Sequence, residues 1–200
     1  PRTLAEALAL DAKNGNKYWS DSVGKEMGNV MVAVEILAEG QRPPPGWTKS
    51  SGHLVFDVKM DFTRKARWVK DVHKTPDAIT PSYAGVVSRD SIRIALIYAK
   101  VLGLEICGGD IRNVYLQAPS SEKHYIICGA EFGLENVGRC ALIRRALYGG
   151  KMAGADFWHH LRSCMDHLGF TSSHDDPDVW LECEANNRGG LLRICTSLRG

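Results

Sequence analysis

Two hundred residues suffice for one sizeable domain or two small ones with a real hydrophobic core. The chain is 44% apolar and 24% charged, as ordinary globular proteins are, and charges interrupt its longest apolar run, which argues against a membrane span. The net charge is only +2. That value excludes attraction of nucleic acid through an overall positive field, so any such binding must depend on local patches.

Six cysteines are scattered along the chain, and no two form a Cys-x-x-Cys pair. Without a recognisable signal peptide, this pattern predicts free thiols in an intracellular protein of the cytoplasm or nucleus. Cys164 and His167 have half of a zinc-site spacing, but the second half is missing. His159-His160 and Asp175-Asp176 are predicted to be structural or solvated. The chain starts at Pro1 without Met and ends abruptly, so we expect a fragment.

Residues 1–46 predict two helices and a stiff connector. Thr3 and Glu6 have the spacing of a capping box ahead of an apolar run, and Asn14–Asn16 ends that helix. The buried stripe of the second helix is predicted from apolar residues at helical spacing, namely Trp19, Val23, Met27 and Val30. Pro43–Gly46 then permits neither a helix nor a central strand.

Apolar and polar residues alternate from His53 to Met60, which predicts a half-buried strand. Its two faces are predicted to carry Leu54, Phe56, Val58 and Met60 on one side and Val55, Asp57 and Lys59 on the other. Asp61–Arg64 is then a turn into a returning strand, Lys65–Val72. Lys65 and Arg67 share one face about 7 Å apart, a spacing that suits a polyphosphate. The alternative is that both cations are simply solvated.

The second half of the chain mixes helices with short strands. Ser88–Asp90 is expected to cap a helix through Ile92–Leu102 that ends at Gly103. Short strands are predicted at Leu104–Cys107, Tyr125–Cys128 and Ala141–Ile143. Strands and hairpins mixed with helices favour an α+β fold over a regular βαβ series.

The last helix is expected to open at Gly149-Gly150 and to stop at Gly169. Its apolar stripe is predicted from Trp158, Leu161, Met165 and Leu168. Beyond it, Asp178–Glu184 and Leu191–Cys195 flank Asn186–Gly190, which predicts a hairpin.

Asp110 is the first candidate for chemistry. A carboxylate at the end of a strand, with Gly108 and Gly109 leaving space beside it, would hold Mg²⁺, and the backbone carbonyl of Ile111 would supply a further oxygen. The alternative is that Asp110 only caps the turn that begins at Arg112.

Tyr115 and Gly149 are the next candidates. Tyr115 would lie flat beneath a nucleotide sugar and exclude a 2′-hydroxyl; the alternative is a core aromatic beside Val114 and Leu116. Gly149, with Gly150, would leave N–H groups free and admit a base or phosphate closely. Such glycine pairs are also common helix entries.

A series of short motifs follows one order along the chain. They are Tyr18-Trp19 with Glu26, Phe56-Asp57-Val58-Lys59, Lys65-Ala66-Arg67-Trp68-Val69, Val86-Val87-Ser88-Arg89-Asp90-Ser91-Ile92-Arg93, Gly109-Asp110 through Tyr115-Leu116, Arg145-Ala146-Leu147-Tyr148-Gly149, and Gly169-Phe170-Thr171 through Asp175 to Asp178-Val179-Trp180. Together they resemble the reverse-transcriptase region of a Ty1/copia-type retrotransposon polyprotein. No motif decides this alone, but their order and spacing are specific.

The resemblance implies a partial fingers-and-palm fold in which an antiparallel sheet is packed with helices. It implies an N-terminal helical lead-in over residues 1–44. A fingers-like subdomain would comprise 45–100 and 119–148, and an incomplete palm-like subdomain 101–118 and 149–200.

Site roles also follow from the resemblance. Asp110 becomes the first catalytic, metal-binding carboxylate, Lys65 and Arg67 contact the nucleotide phosphates, Tyr115 selects the sugar, and Gly149 lies near the incoming base. The implied reaction extends a primer on an RNA or DNA template with deoxynucleoside triphosphates and two Mg²⁺ ions. The remainder of the Pol polyprotein is a further implied partner, and no membrane is.

One expected piece of the family pattern is missing. The family continues into an apolar strand ending in Asp-Asp, whereas here Leu191–Cys195 is followed by Thr196–Gly200, without a carboxylate. Two ions about 4 Å apart need more than one carboxylate. The sequence therefore predicts a fragment of an RNA-directed DNA polymerase that is inactive alone. Alternatives are a derived, non-catalytic nucleotide- or nucleic-acid-binding module and an α+β interaction domain that only echoes the family.

Overall fold

The protein is described from a computed structural model, which covers residues 1–71, 84–184 and 191–196. The chain forms two compact units: the first comprises Pro1–Ser82 and Asn113–Phe157, and the second Tyr83–Arg112 and Trp158–Gly200. Helices occur together with mostly antiparallel sheets, which confirms the predicted α+β class. The division into a lead-in, fingers and palm stays a prediction.

The first helix, α1 (Leu4–Asn14), begins and ends where the sequence predicts. The Glu6 N–H donates to Oγ1 of Thr3 at 3.2 Å, so the threonine caps the helix. Gly15 takes a left-handed conformation with φ of 63° and terminates it.

The second helix, α2 (Tyr18–Ala33), is tied to α1 at its start. The N–H groups of Trp19 and Ser20 donate to the carboxylate of Asp11 at 3.1 and 2.8 Å, so an acid on α1 satisfies the open end of α2. The predicted stripe is confirmed, because Trp19, Val23, Met27 and Val30 are all buried.

A four-stranded sheet lies in the first unit. Its strands are β1 (Val34–Ile36), β2 (Thr48–Lys49), β5 (His124–Ile127) and β6 (Cys140–Ile143). The order is β1-β6-β5-β2, with β5 and β2 parallel and the other two pairs antiparallel. Strands β5 and β6 confirm two predicted strands.

A separate hairpin joins β3 (Gly52–Val58) to β4 (Arg64–Lys70). The turn is closed by the Lys59 N–H, which donates to the Thr63 carbonyl at 3.0 Å. The hairpin confirms the predicted pair of strands, although the turn starts earlier than predicted and β4 ends at Lys70.

The faces of β3 follow the predicted alternation only near its middle. Leu54 and Phe56 pack partly against the core, while Val55 is exposed. Val58 and Met60, which were predicted on the core side, are exposed as well. The reason is that β3 ends at Val58, so Met60 lies in the turn beyond the reach of the core.

The core of the first unit lies where α2 meets the hairpin and the four-stranded sheet. It is built from buried apolar side chains, among them Val23, Met27, Val30, Ala66, Trp68, Leu116, Ile126, Phe132, Ile143 and Leu147. Trp68 is 1% exposed, and its ring meets that of Phe132 edge-on with centroids 5.8 Å apart. Such aromatic pairs contribute strongly to core stability.

In the second unit, α3 (Arg89–Leu102) confirms another prediction. The Ser91 N–H donates to Oγ of Ser88 at 3.0 Å, and Gly103 ends the helix in a left-handed conformation. The predicted strand at Leu104–Cys107 is wrong, since residues 104–111 form no regular element. No strand of the described residues pairs with this segment, and a lone strand leaves its backbone groups without a ladder.

The last helix, α4 (Ala153–His167), begins later than the glycine pair that was predicted to open it. The Gly150 N–H donates to the Leu147 carbonyl at 3.0 Å, which makes the glycines part of a preceding turn. The predicted stop is confirmed: Gly169 has φ of 86°, and the Phe170 N–H donates to Met165 at 3.0 Å.

The predicted apolar stripe of α4 is confirmed in part. Met165 is buried, Trp158 and Leu161 are half-buried, and Leu168 is 63% exposed. Leu168 lies beyond the last helical residue, so it leaves the packed face of the helix.

Three antiparallel strands complete the second unit in the order β7-β8-β9. They are β7 (Thr171–Ser172), β8 (Val179–Glu184) and β9 (Leu191–Thr196). The pairing of β8 with β9 confirms the predicted hairpin. Its predicted turn, Asn186–Gly190, lies outside the described residues.

Within the described ranges, no helix is both long and apolar enough to cross a membrane.

The cysteines that occur as free thiols in the described part of the chain are Cys107, Cys128, Cys140 and Cys164. Cys164 Sγ lies 3.7 Å from Nε2 of His160, one helical turn away. Burial raises the pKa of the Cys128 thiol, which keeps it in the neutral form.

Candidate functional site

The outer face of the β3–β4 hairpin carries the predicted cations. Lys65 lies opposite Asp57 and Arg67 opposite Val55 in the antiparallel register. Lys65 is half-buried and Arg67 exposed, whereas Ala66 between them is buried. The alternation therefore confirms that Lys65 and Arg67 project from one face.

Side chains of α2 hold β4 along the edge that β3 does not use. The Ala66 N–H donates to Oγ of Ser22 at 2.8 Å, and the Trp68 N–H donates to Oε1 of Glu26 at 3.0 Å. Ser22 and Glu26 are one helical turn apart, so they match alternate N–H groups of an extended strand. The cations consequently project from a strand that is bonded on both edges.

The Gly149 turn packs directly on this strand. The Lys70 N–H donates to the Tyr148 carbonyl at 2.9 Å. A Cβ at Gly149 would overlap the Lys70 carbonyl oxygen and lie 2.8 Å from Cγ1 of Val69. Val69 alternates in step with Arg67 along β4, so Gly149 lies at the Val69 end of the face that carries both cations.

This geometry gives Gly149 a definite backbone role. Its φ is 82°, a left-handed value that favours glycine, and the strand backbone occupies the space where a side chain would go. The close approach is to β4 itself. Whether a nucleotide base also approaches Gly149 stays a prediction, and the amide of Gly150 is already bonded within the turn.

Tyr115 lies in a 3-10 turn, Val114–Gln117, and is half-buried. Its ring meets that of Tyr148 edge-on, with centroids 5.0 Å apart. Leu116, next to it, enters the core instead. Contacts thus link Tyr115 to Tyr148, and Tyr148 in turn to the strand that carries Lys65 and Arg67.

Asp110 and Ile111 belong to the second unit, in contrast to the four candidates above. Both are exposed and lie in the irregular segment that follows α3. The left-handed residue Asn113, with φ of 52°, opens the 3-10 turn downstream. The expected position of Asp110 at the end of a strand is therefore wrong, and its metal role stays a prediction.

The sequence did not predict a buried polar cluster next to the Gly149 turn. Lys70 is 3% exposed, and its Nζ lies 2.8 Å from Oε2 of Glu122 and 2.6 Å from Nδ1 of His124. Burial, and then the Lys70 charge, lower the pKa of His124, while Glu122 acts against them. The available signal was Lys70 itself, which falls at a core-facing position of the alternating strand.

Two acids of the run Asp175–Asp178 in the second unit accept structural hydrogen bonds. The carboxylate of Asp176 accepts from the Ser91 hydroxyl at 2.6 Å and from the Ser88 N–H at 2.9 Å, and these bonds lower its pKa. Asp178 accepts from the indole N–H of Trp158 at 2.6 Å. Asp175 is exposed. The prediction of structural or solvated roles is confirmed for this acidic pair.

No protein-family model matches this chain. No solved structure matches it. Among curated proteins, it is similar to a retrovirus-related Pol polyprotein from transposon RE2 of Arabidopsis thaliana, with 25% identity over 189 residues. The match covers 90% of this chain and 12% of the polyprotein, so the chain spans a small part of that relative. The similarity supports a region derived from a retrotransposon Pol polyprotein.

Proposed function

We propose that this chain is a piece of the RNA-directed DNA polymerase of a Ty1/copia-type retrotransposon, and that it binds nucleotides without catalysing their transfer by itself. The observation that carries the proposal is the face of β4 that carries Lys65 and Arg67, on a strand whose Val69–Lys70 end contacts the Gly149 turn, in a chain similar to a Pol polyprotein. The expected ligands are deoxynucleoside triphosphates and a template–primer.

The phosphate-binding part of the proposal follows from charge and support. Arg67 is exposed, and Arg and Lys bind phosphate oxygens through charge-assisted hydrogen bonds. Both cations project from a strand held by Ser22 and Glu26. A supported strand loses little conformational freedom on binding, which favours affinity.

The described residues do not fit a two-ion Mg²⁺ centre. Asp110 and Ile111 would supply one carboxylate and one carbonyl oxygen, and no group of three or more His, Cys, Asp or Glu side chains suited to a metal occurs in the described part of the chain. A pair of ions in line with a transferred phosphoryl group needs more carboxylates than Asp110. We therefore propose at most weak binding of Mg²⁺ there.

Primer extension tests the catalytic part. The purified chain, an RNA or DNA template with a labelled primer, all four deoxynucleoside triphosphates, and Mg²⁺ or Mn²⁺ are expected to give no extended product. Robust synthesis would contradict the proposal of a silent fragment.

Binding of a single-stranded oligonucleotide and of dTTP tests the other part. Replacing both Lys65 and Arg67 by Ala is expected to weaken binding about tenfold or more and to lower its salt dependence. The matched control replaces Arg93 and Lys100, two exposed cations of α3, by Ala. This control should bind with an affinity within about twofold of that of the wild type. Absence of measurable binding at low salt would favour the interaction-domain alternative.

A further inference from the structure

Lys70 is a charged residue at a core-facing position of β4, where apolar residues are usual. Along β4 it alternates in step with Ala66 and Trp68, which are buried apolar residues. A buried ammonium is costly unless it is paired and hydrogen-bonded. Lys70 meets that requirement through Glu122 and His124, at 2.8 and 2.6 Å.

The same cluster borders the Gly149 turn on two sides. Through its backbone, Lys70 donates to Tyr148 and approaches Gly149 so closely that a Cβ there would overlap its carbonyl oxygen. Through its side chain it holds Glu122, whose Oε2 lies 3.5 Å from the position of a Cβ on Gly150. The turn is therefore wedged between the β4 backbone and the Glu122 carboxylate.

We infer that Lys70 is a positioning residue of the nucleotide-binding face: with Glu122 and His124 it holds the Tyr148–Gly150 turn against the Val69–Lys70 end of the strand that carries Lys65 and Arg67. The inference rests on the proposed function. Lys65, Arg67 and Lys70 belong to one seven-residue strand, so a shift at its end changes the spacing between cations and turn. Displacements of about 1 Å are enough to weaken a positioned site.

The protonation state of His124 belongs to the same arrangement. An ammonium has only donors, so Nδ1 of His124 must accept, which requires neutral imidazole with its proton on Nε2. The charged groups that act on it are Lys70 from β4 and Glu122 from the preceding loop. On the neighbouring strand β2, His124 lies opposite uncharged Thr48. Protonation would place a second cation 2.6 Å from the ammonium and loosen the cluster.

The experiment measures the Kd of dTTP for the full chain and for Lys70→Met, at about pH 8 and about pH 5.5. Lys70→Met is expected to bind about tenfold more weakly at the higher pH. Hydrogen exchange should also accelerate at the Gly150 amide, which is bonded within the turn.

His124→Asn provides a second variant, because its amide oxygen replaces Nδ1 as an acceptor but does not titrate. Wild type is expected to lose more affinity between the two pH values than His124→Asn does. The titration of the triphosphate itself is common to both proteins and cancels in that comparison. Equal losses in the two proteins would contradict the role of His124.

Asn136→Ala serves as the matched control for a lost buried polar group. Asn136 is buried in the first unit and its amide donates to the Phe132 carbonyl at 2.9 Å, outside the cluster. It should lower stability and leave the Kd within about twofold. If it weakens binding as much as Lys70→Met, or if Lys70→Met binds like wild type, the positioning role is overturned. Absence of binding to wild type overturns the proposed function and this inference together.

Discussion

The β4 strand of the first unit and the Asp110 segment of the second unit differ in how they hold their candidate residues. Lys65 and Arg67 project from a strand whose edges are bonded to β3 and to α2. Asp110 is exposed in a segment without regular structure. Positioning by packed neighbours is what a binding site requires. The comparison indicates that packed neighbours position Lys65 and Arg67, whereas no regular element positions Asp110.

The largest expected effect is on the contact between Gly149 and the backbone of β4. Gly149→Ala would force a Cβ into the Lys70 carbonyl oxygen at a left-handed φ of 82°. We expect a loss of about 3 kcal/mol in the free energy of unfolding, measured by urea denaturation.

Gly138→Ala is the matched control for that substitution. Gly138 has the same φ of 82°, but nothing lies within 4 Å of its added Cβ. It should cost only about 1 kcal/mol, the strain of a left-handed alanine. Equal losses for the two variants would mean that backbone conformation, rather than contact with β4, decides the role of Gly149.

A smaller effect is expected at Asp176, an acid of the second unit that accepts hydrogen bonds from the start of α3. Asp176→Ala removes the acceptor for the Ser91 hydroxyl and the Ser88 N–H at the start of α3. We expect a loss of about 1 kcal/mol, together with faster hydrogen exchange in the first turn of that helix. Asp175→Ala, at the exposed neighbour, should change stability by less than about 0.5 kcal/mol.

The pH dependence of the first unit sharpens the comparison further. The pKa of His124 lies below its ordinary value of 6.5 in the folded protein, because of burial and then Lys70. The unfolded chain therefore binds a proton at His124 more readily than the folded chain does. The contribution of His124 to the free energy of unfolding is consequently complete above about pH 6.5 and declines as the pH falls below that value. Urea unfolding across that range should show the decline, and His124→Asn should flatten it. A flat profile for the wild type would contradict the assignment.

The smallest expected effect is at Asp110. Asp110→Asn should leave stability within about 0.5 kcal/mol, because the side chain is exposed and the surrounding segment is irregular. Binding of dTTP without metal should also be unchanged. A clear loss of stability would show that Asp110 has structural partners, which would remove the contrast with β4.

Much of the local structure could be predicted from short stretches of sequence. Thr3, Ser88, Gly15 and Gly103 mark helix ends through bonds and conformations that involve only neighbouring residues. The predicted strand at Leu104–Cys107 was wrong because a strand depends on residues that are distant in sequence. Its composition suits a strand, but a strand exists only with a pairing partner, and the described residues offer it none.

The candidate site could be predicted only in its outline. Alternation alone was enough to place Lys65 and Arg67 on one face of β4. The partners of Lys70 could not be predicted, since Glu122 and His124 are 52 and 54 residues away in sequence. Gly149 was expected at a helix entry, whereas its contact is with the backbone of a distant strand.

The amino-acid sequence by itself determined the α+β class, the helix caps, the hairpin and the common face of the two cations. These features depend on the period of side chains and on bonds within one turn of chain. Tertiary structure alone decided that a lysine at a core position is paired, that Gly149 lies against β4, and that Asp110 is left on an irregular segment. Those outcomes depend on which distant groups become neighbours, and no local pattern encodes that choice.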